Sequence, residues 1–213
     1  MSFVEHAVIA AAGLGSRLGR GHPKCLLEVQ GVSILQRQLR LLEHVPDVRV
    51  VVGFEEKQVI AAARAVRTDV IFVRNPAFRS TSTLQSYAMG ASGLAKDCLF
   101  MDADILFEPQ SFSAFLGACR PNEPLIGVTA AKTTDAVFAH LDGSTLTRFS
   151  RTDRAPNEWA NLCWLPACFC EGGTGAVFEL LADALPLQYR MIESFEIDTP
   201  EDHAHALANA DFL

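Results

Sequence analysis

Two short acidic steps stand out in the sequence: Asp102-Ala103-Asp104, directly after the apolar run DCLFM, and Glu196-Ile197-Asp198 near the C-terminus. Side chains two apart on an extended chain lie on the same face, so Glu196 and Asp198 form a pair of carboxylates aimed one way. Asp102 and Asp104 stand at the carboxyl end of an expected parallel strand, where open α/β sheets take up ligands. Several carboxylates of this kind, with phosphate oxygens and water, suit a hard cation such as Mg²⁺. The segment AAGLGSRLGRGHPKC offers the complementary chemistry. Glycines 13, 15, 19 and 21 let the backbone turn sharply and bring amide groups close to an anion. Charge follows the same division. Residues 1–24 hold three bases (Arg17, Arg20, Lys24) against the single acid Glu5, while residues 183–213 hold one base against seven acids. An anion site near one end and a cation site near the other would look like this, and so, on charge alone, would a solvated acidic last helix.

The standard phosphate motifs do not fit the glycine loop. A dinucleotide fingerprint needs its third glycine where Leu18 stands and an acid where the chain reads LQRQLR, and a P-loop needs Gly-Lys followed by Ser or Thr, whereas the lysine here lies in Pro23-Lys24-Cys25. Other clusters are weaker. Cys163, Cys168 and Cys170 lack zinc spacing and a nearby histidine, which favours core thiols. His203 and His205 are two apart and cannot share a helix face. Trp159, Trp164 and Tyr189, with Glu158, could box an ammonium group through cation–π attraction, or simply pack.

The elements that must position these groups alternate between strand and helix, the pattern of βαβ units on a mostly parallel sheet. Val8–Ala11 reads as the first strand. VSILQRQLRLLEHV places Leu35, Leu39 and Leu42 at helical spacing ahead of Pro46. VRVVVGF, DVIFV, DCLFM and LIGVTAA read as strands, and KQVIAAARAV, TLQSYAMGASGLA and QSFSAFLGAC as helices between them. The period then changes. VFAHLDGSTLTRFS centres on Asp142-Gly143, a hairpin signal, and WANLCWLPACFC reads as strand throughout. TGAVFELLADAL and PEDHAHALANA close the chain as helices. Residues 1–213 are expected to form one α/β domain with an antiparallel excursion in the second half.

Composition narrows the class. With 49% apolar and 20% charged residues the chain can bury a full core, and a formal charge of −7 argues against general affinity for nucleic acid. The charge-free stretch from Trp159 to Cys170 contains a proline and falls well short of the roughly 20 residues that span a bilayer. The opening MSFVEHAVIAAAG carries Glu5 and His6 where an export signal would be basic. Six cysteines without such a signal fit a reducing cytoplasm.

Taken together, AAGLGSRLG, PKCLLEVQG with the helix after it, MDADILF and EIDTPED resemble the nucleotidyltransferases that couple an NTP to a phosphorylated small molecule. The resemblance implies a Rossmann-like, mostly parallel mixed sheet flanked by helices, of the nucleotide-diphospho-sugar transferase type. It assigns the loop residues Ala12, Gly13, Leu14 and Gly15 to the nucleotide and the cations Arg17 and Lys24 to its phosphates. Asp104 matches the first Mg²⁺ ligand, and Asp102 is nominated for the nucleotide and as a second ligand. Glu196 and Asp198 resemble the acidic pair that completes the metal site in cytidylyltransferases for phosphocholine and related head groups. NPAFRSTSTLQSYAMG resembles the stretch leading into a helix beside the base, which nominates Ser82, Gln85 and Ser86, although relatives often carry asparagine where this chain has Ser82 or Thr83. Arg151 stands where relatives place a cation on the acceptor's phosphate, and Trp159, Trp164 and Glu196 would face the acceptor. The implied reaction is Mg²⁺-dependent transfer from an NTP, with CTP favoured, to a phosphocholine-like or aminoalkylphosphonate acceptor. Transfer to a sugar 1-phosphate is the alternative. A catalytically silent nucleotide-binding domain is a third reading, and a homo-oligomer is left open.

Overall fold

Apolar β-branched runs too short for helices form strands, and the amphipathic stretches between them form the layers that cover the sheet. The computed structural model describes residues 3–14, 21–132 and 136–208. Along them run β1 (His6–Ala11), a 3₁₀ turn (Lys24–Leu26), β2 (Glu28–Val29), β3 (Val32–Ser33), α1 (Ile34–Leu41), β4 (Asp47–Val52), α2 (Glu56–Arg64), β5 (Ile71–Arg74) and α3 (Thr83–Ala91). There follow β6 (Asp97–Asp102), β7 (Ile105–Phe107), α4 (Pro109–Ala118), β8 (Leu125–Ala130), β9 (Phe138–Asp142), β10 (Thr145–Ser150) and β11 (Asn157–Pro166). A second 3₁₀ turn (Ala167–Cys170), α5 (Val177–Ala182), β12 (Leu187–Met191), β13 (Ser194–Glu196) and α6 (Pro200–Ala208) complete the order.

Among the described residues nine strands form one sheet in the order β5-β4-β1-β6-β11-β8-β12-β10-β9. The first four are mutually parallel. β11 then enters antiparallel between β6 and β8, and β9 and β10 form the hairpin at the far edge. Its turn carries Gly143 at φ +56°, as Asp-Gly turns require. Alternation along each strand feeds two cores. Ala7, Ile9, Leu99 and Met101 pack with Leu35 and Leu39 of α1, Val59 of α2 and Phe112 and Phe115 of α4. Val8, Val51, Cys98 and Phe100 pack on the other face with Leu84 and Tyr87 of α3 and Val177 and Leu181 of α5. The sheet is therefore covered on both sides, as mostly parallel sheets must be.

Helix α3 lies close to the sheet because of Gly90, where a Cβ would come within 2.4 Å of Val8 Cγ1. Its N-cap Ser82 and first residue Thr83 stand with the carboxyl ends of β1 and β6 around one cavity. Among the described residues no helix is long and apolar enough to cross a membrane. The expected strand over WANLCWLPACFC stops at Pro166, and Ala167–Cys170 turns as 3₁₀ helix instead, since proline cannot donate to a ladder. Cys163 and Cys170 are buried and Cys168 is exposed, and all three are free thiols.

Candidate active site

Three carboxylates come together through a ribbon of two three-residue strands. β13 pairs antiparallel with β7 in the register Ser194↔Phe107, Phe195↔Leu106 and Glu196↔Ile105, and the backbone N–H of Ile197 donates to Asp104 O at 3.0 Å. Asp104 precedes one strand, Glu196 ends the other, and Asp198 lies two residues on, on the same side as Glu196. Oxygen atoms of Asp104, Glu196 and Asp198 all lie within 4.8 Å of one another. Beyond them, Thr199 and Asp202 cap α6 reciprocally: the Thr199 N–H and hydroxyl each donate to Asp202 Oδ2 at 2.8 Å, and the Asp202 N–H donates to Thr199 Oγ1 at 3.1 Å. That cap fixes the chain immediately behind Asp198.

Lys24 reaches this cluster from the 3₁₀ turn that follows the glycine loop. Its ammonium donates to Asp104 Oδ2 at 3.4 Å and to Asp198 Oδ1. Burial opposes its charge, but Asp104 and Asp198 outweigh that and hold its pKa above the ordinary lysine value. One cation does not balance the acids around it. Burial, then the charges of Asp104 and Asp198, push Glu196 up to about 9. Burial and the charge of Asp104 push Asp102 up to about 8. Asp104 is also raised, first by burial and then by Asp198, against the pull of Lys24. An all-oxygen donor set this crowded with like charge fits a hard divalent cation.

The turn between β6 and β7 is clamped from both faces of the sheet. From α1, the buried Gln38 donates through Nε2 to Asp102 O and to Ile105 O, both at 2.8 Å. From α3, the buried Tyr87 hydroxyl donates to Asp102 Oδ1 at 2.5 Å. Each spends a buried polar group inside an apolar layer, which is costly unless hydrogen-bonded, and the bonds go to the segment that carries Asp104.

Two cavities meet at Lys24, Asp102 and Asp104. The smaller, about 170 Å³, runs along Ala10–Gly13, Asn75, Phe78, Thr81–Thr83 and Ser86. The larger, about 850 Å³, opens toward the antiparallel half, with Lys132, Arg151, Glu158, Trp159, Asn161 and Phe178 on its wall beside Glu196 and Asp198. Ser82 lines both cavities, and its buried Oγ has no hydrogen-bond partner among the described residues. Lys132 Nζ donates to Ser194 O at 2.6 Å and to Thr129 Oγ1 at 3.2 Å; burial lowers its pKa despite Glu158 and Glu193. The Arg151 guanidinium lies over the Phe178 ring, 5.0 Å from its centroid.

Most of the residues nominated from sequence line one cavity or the other. Ala12, Gly13 and Ser86 stand on the small one, Arg151, Trp159, Glu196 and Asp198 on the large one, and Lys24, Ser82, Asp102 and Asp104 on both. Three nominations end elsewhere. Leu14 is half-buried outside both linings. Gln85 serves the helix, its Oε1 accepting from the Ser82 N–H at 2.8 Å. Trp164 is buried in the core beneath α1 and α4, its indole N–H donating to Arg120 O at 2.9 Å. Register is the cause: β11 runs antiparallel to β6 with Trp164 opposite Leu99, so the chain has already left the carboxyl end of β6. Tyr189 likewise bonds Gly143 O at 3.1 Å, and no three-ring box forms. Gly15 and Arg17 lie outside the described residues. Sequence reading missed Gln38, Tyr87, Asn75, Lys132 and Asn161. Lys132 and Asn75 each follow the end of an expected strand, which is the signal that could have found them.

Residues 7–188 match the MobA-like NTP transferase domain. The chain belongs to that family of nucleotidyltransferases. A curated relative, CMP-5'-(3-aminopropyl)phosphonate synthase of Streptomyces rubellomurinus, is 32% identical over 147 residues, which are 62% of this chain and 23% of that protein. The chain thus spans about a quarter of that relative's length. Among solved structures, the CTP:phosphocholine cytidylyltransferase of Streptococcus pneumoniae superposes with a TM-score of 0.78 at 18% identity, over 96% of this chain and 98% of that one. The UDP-glucose pyrophosphorylase of Acinetobacter baumanii gives 0.74 at 13% identity, over 97% and 93%. At such identities the likeness is one of fold, and within the family the fold alone does not select the acceptor.

Proposed function

We propose that this nucleotidyltransferase domain is an Mg²⁺-dependent cytidylyltransferase that transfers CMP from CTP to a small phosphonate or phosphate acceptor bearing an ammonium group, releasing pyrophosphate. The observation that carries the reading is the position of Lys24, paired with Asp104 and Asp198 where the two differently lined cavities meet. The nucleotide would lie in the smaller cavity, against the backbone of Ala11–Gly13 and the hydroxyls of Ser82, Thr83 and Ser86. Arg17 would join Lys24 on its phosphates. The acceptor would lie in the larger cavity, its anionic end toward Arg151 and its ammonium toward Trp159, Glu158 and Glu196. Cytidine and an aminoalkylphosphonate are supported by the name of the 32%-identical relative and by the EIDTPED segment.

An acceptor oxygen attacks the α-phosphorus in line, the new P–O bond forms, and the bond to the β-phosphate breaks with its electron pair leaving on pyrophosphate. No protein nucleophile is needed. A phosphate monoester with a second pKa of about 6 is already anionic at neutral pH, so no general base is needed either. Lys24 stays charged at that pH and offsets the charge that moves onto pyrophosphate. Asp104, Glu196 and Asp198 would hold Mg²⁺, whose chemistry there is neutralisation of phosphate charge.

Pyrophosphate release over the four NTPs, crossed with 2-aminoethylphosphonate, phosphocholine and glucose 1-phosphate, tests the reading. CTP with one of the ammonium-bearing acceptors is expected to be fastest, and excess EDTA to abolish turnover. Faster turnover of the sugar phosphate would make the domain a sugar-1-phosphate nucleotidyltransferase. Nucleotide binding without turnover of any acceptor would make it a silent binding domain, and activity in excess EDTA would remove the metal.

A further inference from the structure

In the middle of β11 the sheet breaks its own rule. β11 pairs with β8 through Trp159↔Val128 and resumes at Cys163↔Ile126, so four steps on one strand face two on the other, an interruption of the β-bulge kind. Inside it Asn161 adopts φ +48°, a left-handed conformation that L-residues other than asparagine and aspartate avoid. Its neighbours Ala160 and Leu162 remain buried in the core. The backbone irregularity therefore acts on Asn161, which lines the larger cavity and whose Nδ2 donates to Glu196 Oε2 at 3.3 Å.

Glu196 needs such a donor. It ends a three-residue strand with a single described partner strand, β7, and it stands among Asp104 and Asp198, whose charges push its carboxylate away. Strained backbone at a site, held by well-packed neighbours, is commonly the means of aiming a side chain.

We infer that Asn161 is a positioning residue: the bulge in β11 carries its carboxamide to one oxygen of Glu196 and leaves the other for the cation shared with Asp104 and Asp198. This rests on the metal site proposed above. Two substitutions separate the side chain from the backbone. Asn161→Gly and Asn161→Ala both remove the carboxamide, but glycine accepts the left-handed conformation and alanine does not. Mn²⁺ binding to the nucleotide-free chain, followed by calorimetry and by the loss of the free-ion electron paramagnetic signal, is expected to weaken by about 2- to 150-fold in both variants, the range for one hydrogen bond to a neutral or charged group. Thermal midpoints should divide differently, with Asn161→Gly at or above the wild type and Asn161→Ala about 2–4 °C below Asn161→Gly. Unchanged Mn²⁺ affinity in the glycine variant would overturn the role of Asn161, and so would weakening confined to the alanine variant, which would mark a backbone effect. Failure of the wild type itself to take up Mn²⁺ would overturn the metal site and the inference together.

Discussion

The two compartments that meet at Lys24 are made of different material. The cavity proposed for the nucleotide is lined largely by small neutral residues at the ends of parallel strands and ahead of α3: Ala10–Gly13, Asn75, Thr81, Ser82 and Ser86. The cavity proposed for the acceptor is lined by Lys132, Arg151, Glu158, Trp159 and Phe178 on the antiparallel half. Recognition by backbone survives most substitutions, because every residue supplies the same amide. Recognition by charge and ring can be rewritten one side chain at a time.

That contrast can be broken in graded steps, beginning at the junction. Lys24→Ala removes a cation from the place where both compartments end. Turnover measured as pyrophosphate release is expected to fall on the order of 10²- to 10³-fold with every acceptor. A fall of less than threefold would mean that Lys24 only tethers Asp104 and Asp198.

A smaller and more selective effect is expected on the acceptor side. Trp159→Leu should raise the acceptor's KM by about 2- to 30-fold, the worth of one cation–π contact, and leave the KM for CTP unchanged. Trp164→Leu should do neither. It should lower the thermal midpoint instead, because it opens a cavity in the core and leaves Arg120 O without its donor. Equal KM effects in the two variants would erase the distinction between wall and core.

The smallest effect is one of stability. Glu196 and Asp102 are raised to about 9 and about 8, while the unfolded chain loses those protons near 4.5 and 3.8. Between these values the folded protein binds more protons, so its stability is full below the unfolded values and declines as pH rises through the folded ones. Without metal the thermal midpoint should therefore drop from pH 6 to pH 9. Mg²⁺ should restore more at pH 9 than at pH 6, because it binds the ionised carboxylates. Glu196→Gln should flatten the slope, and a midpoint that rises with pH in the metal-free wild type would contradict the crowding of charge described here.

Much of the architecture was legible because it is local. Leu35, Leu39 and Leu42 fall on one helical face and are buried there, and Asp142-Gly143 turns the hairpin it signals. The acidic pairs were marked by their spacing, and Pro23-Lys24 by the resemblance of its segment to the nucleotidyltransferases. The spacing of Glu196 and Asp198 reads as extended chain, but three-residue strands carry no period, so the pairing of β7 with β13 that brings Asp104 to Glu196 left no trace.

What the amino-acid order determined by itself is therefore what depends on near neighbours: helical faces, turns, and which residue types can hold a phosphate or a cation. Tertiary structure alone decided which of two tryptophans sees the cavity, because strand register and the bulge at Asn161 set the face and height of each side chain along β11. It alone supplied Gln38 and Tyr87 as clamps, since they lie 64 and 15 residues from Asp102. A hydrogen bond across the layers of a sheet leaves no mark in the sequence, because its geometry exists only once both faces have packed.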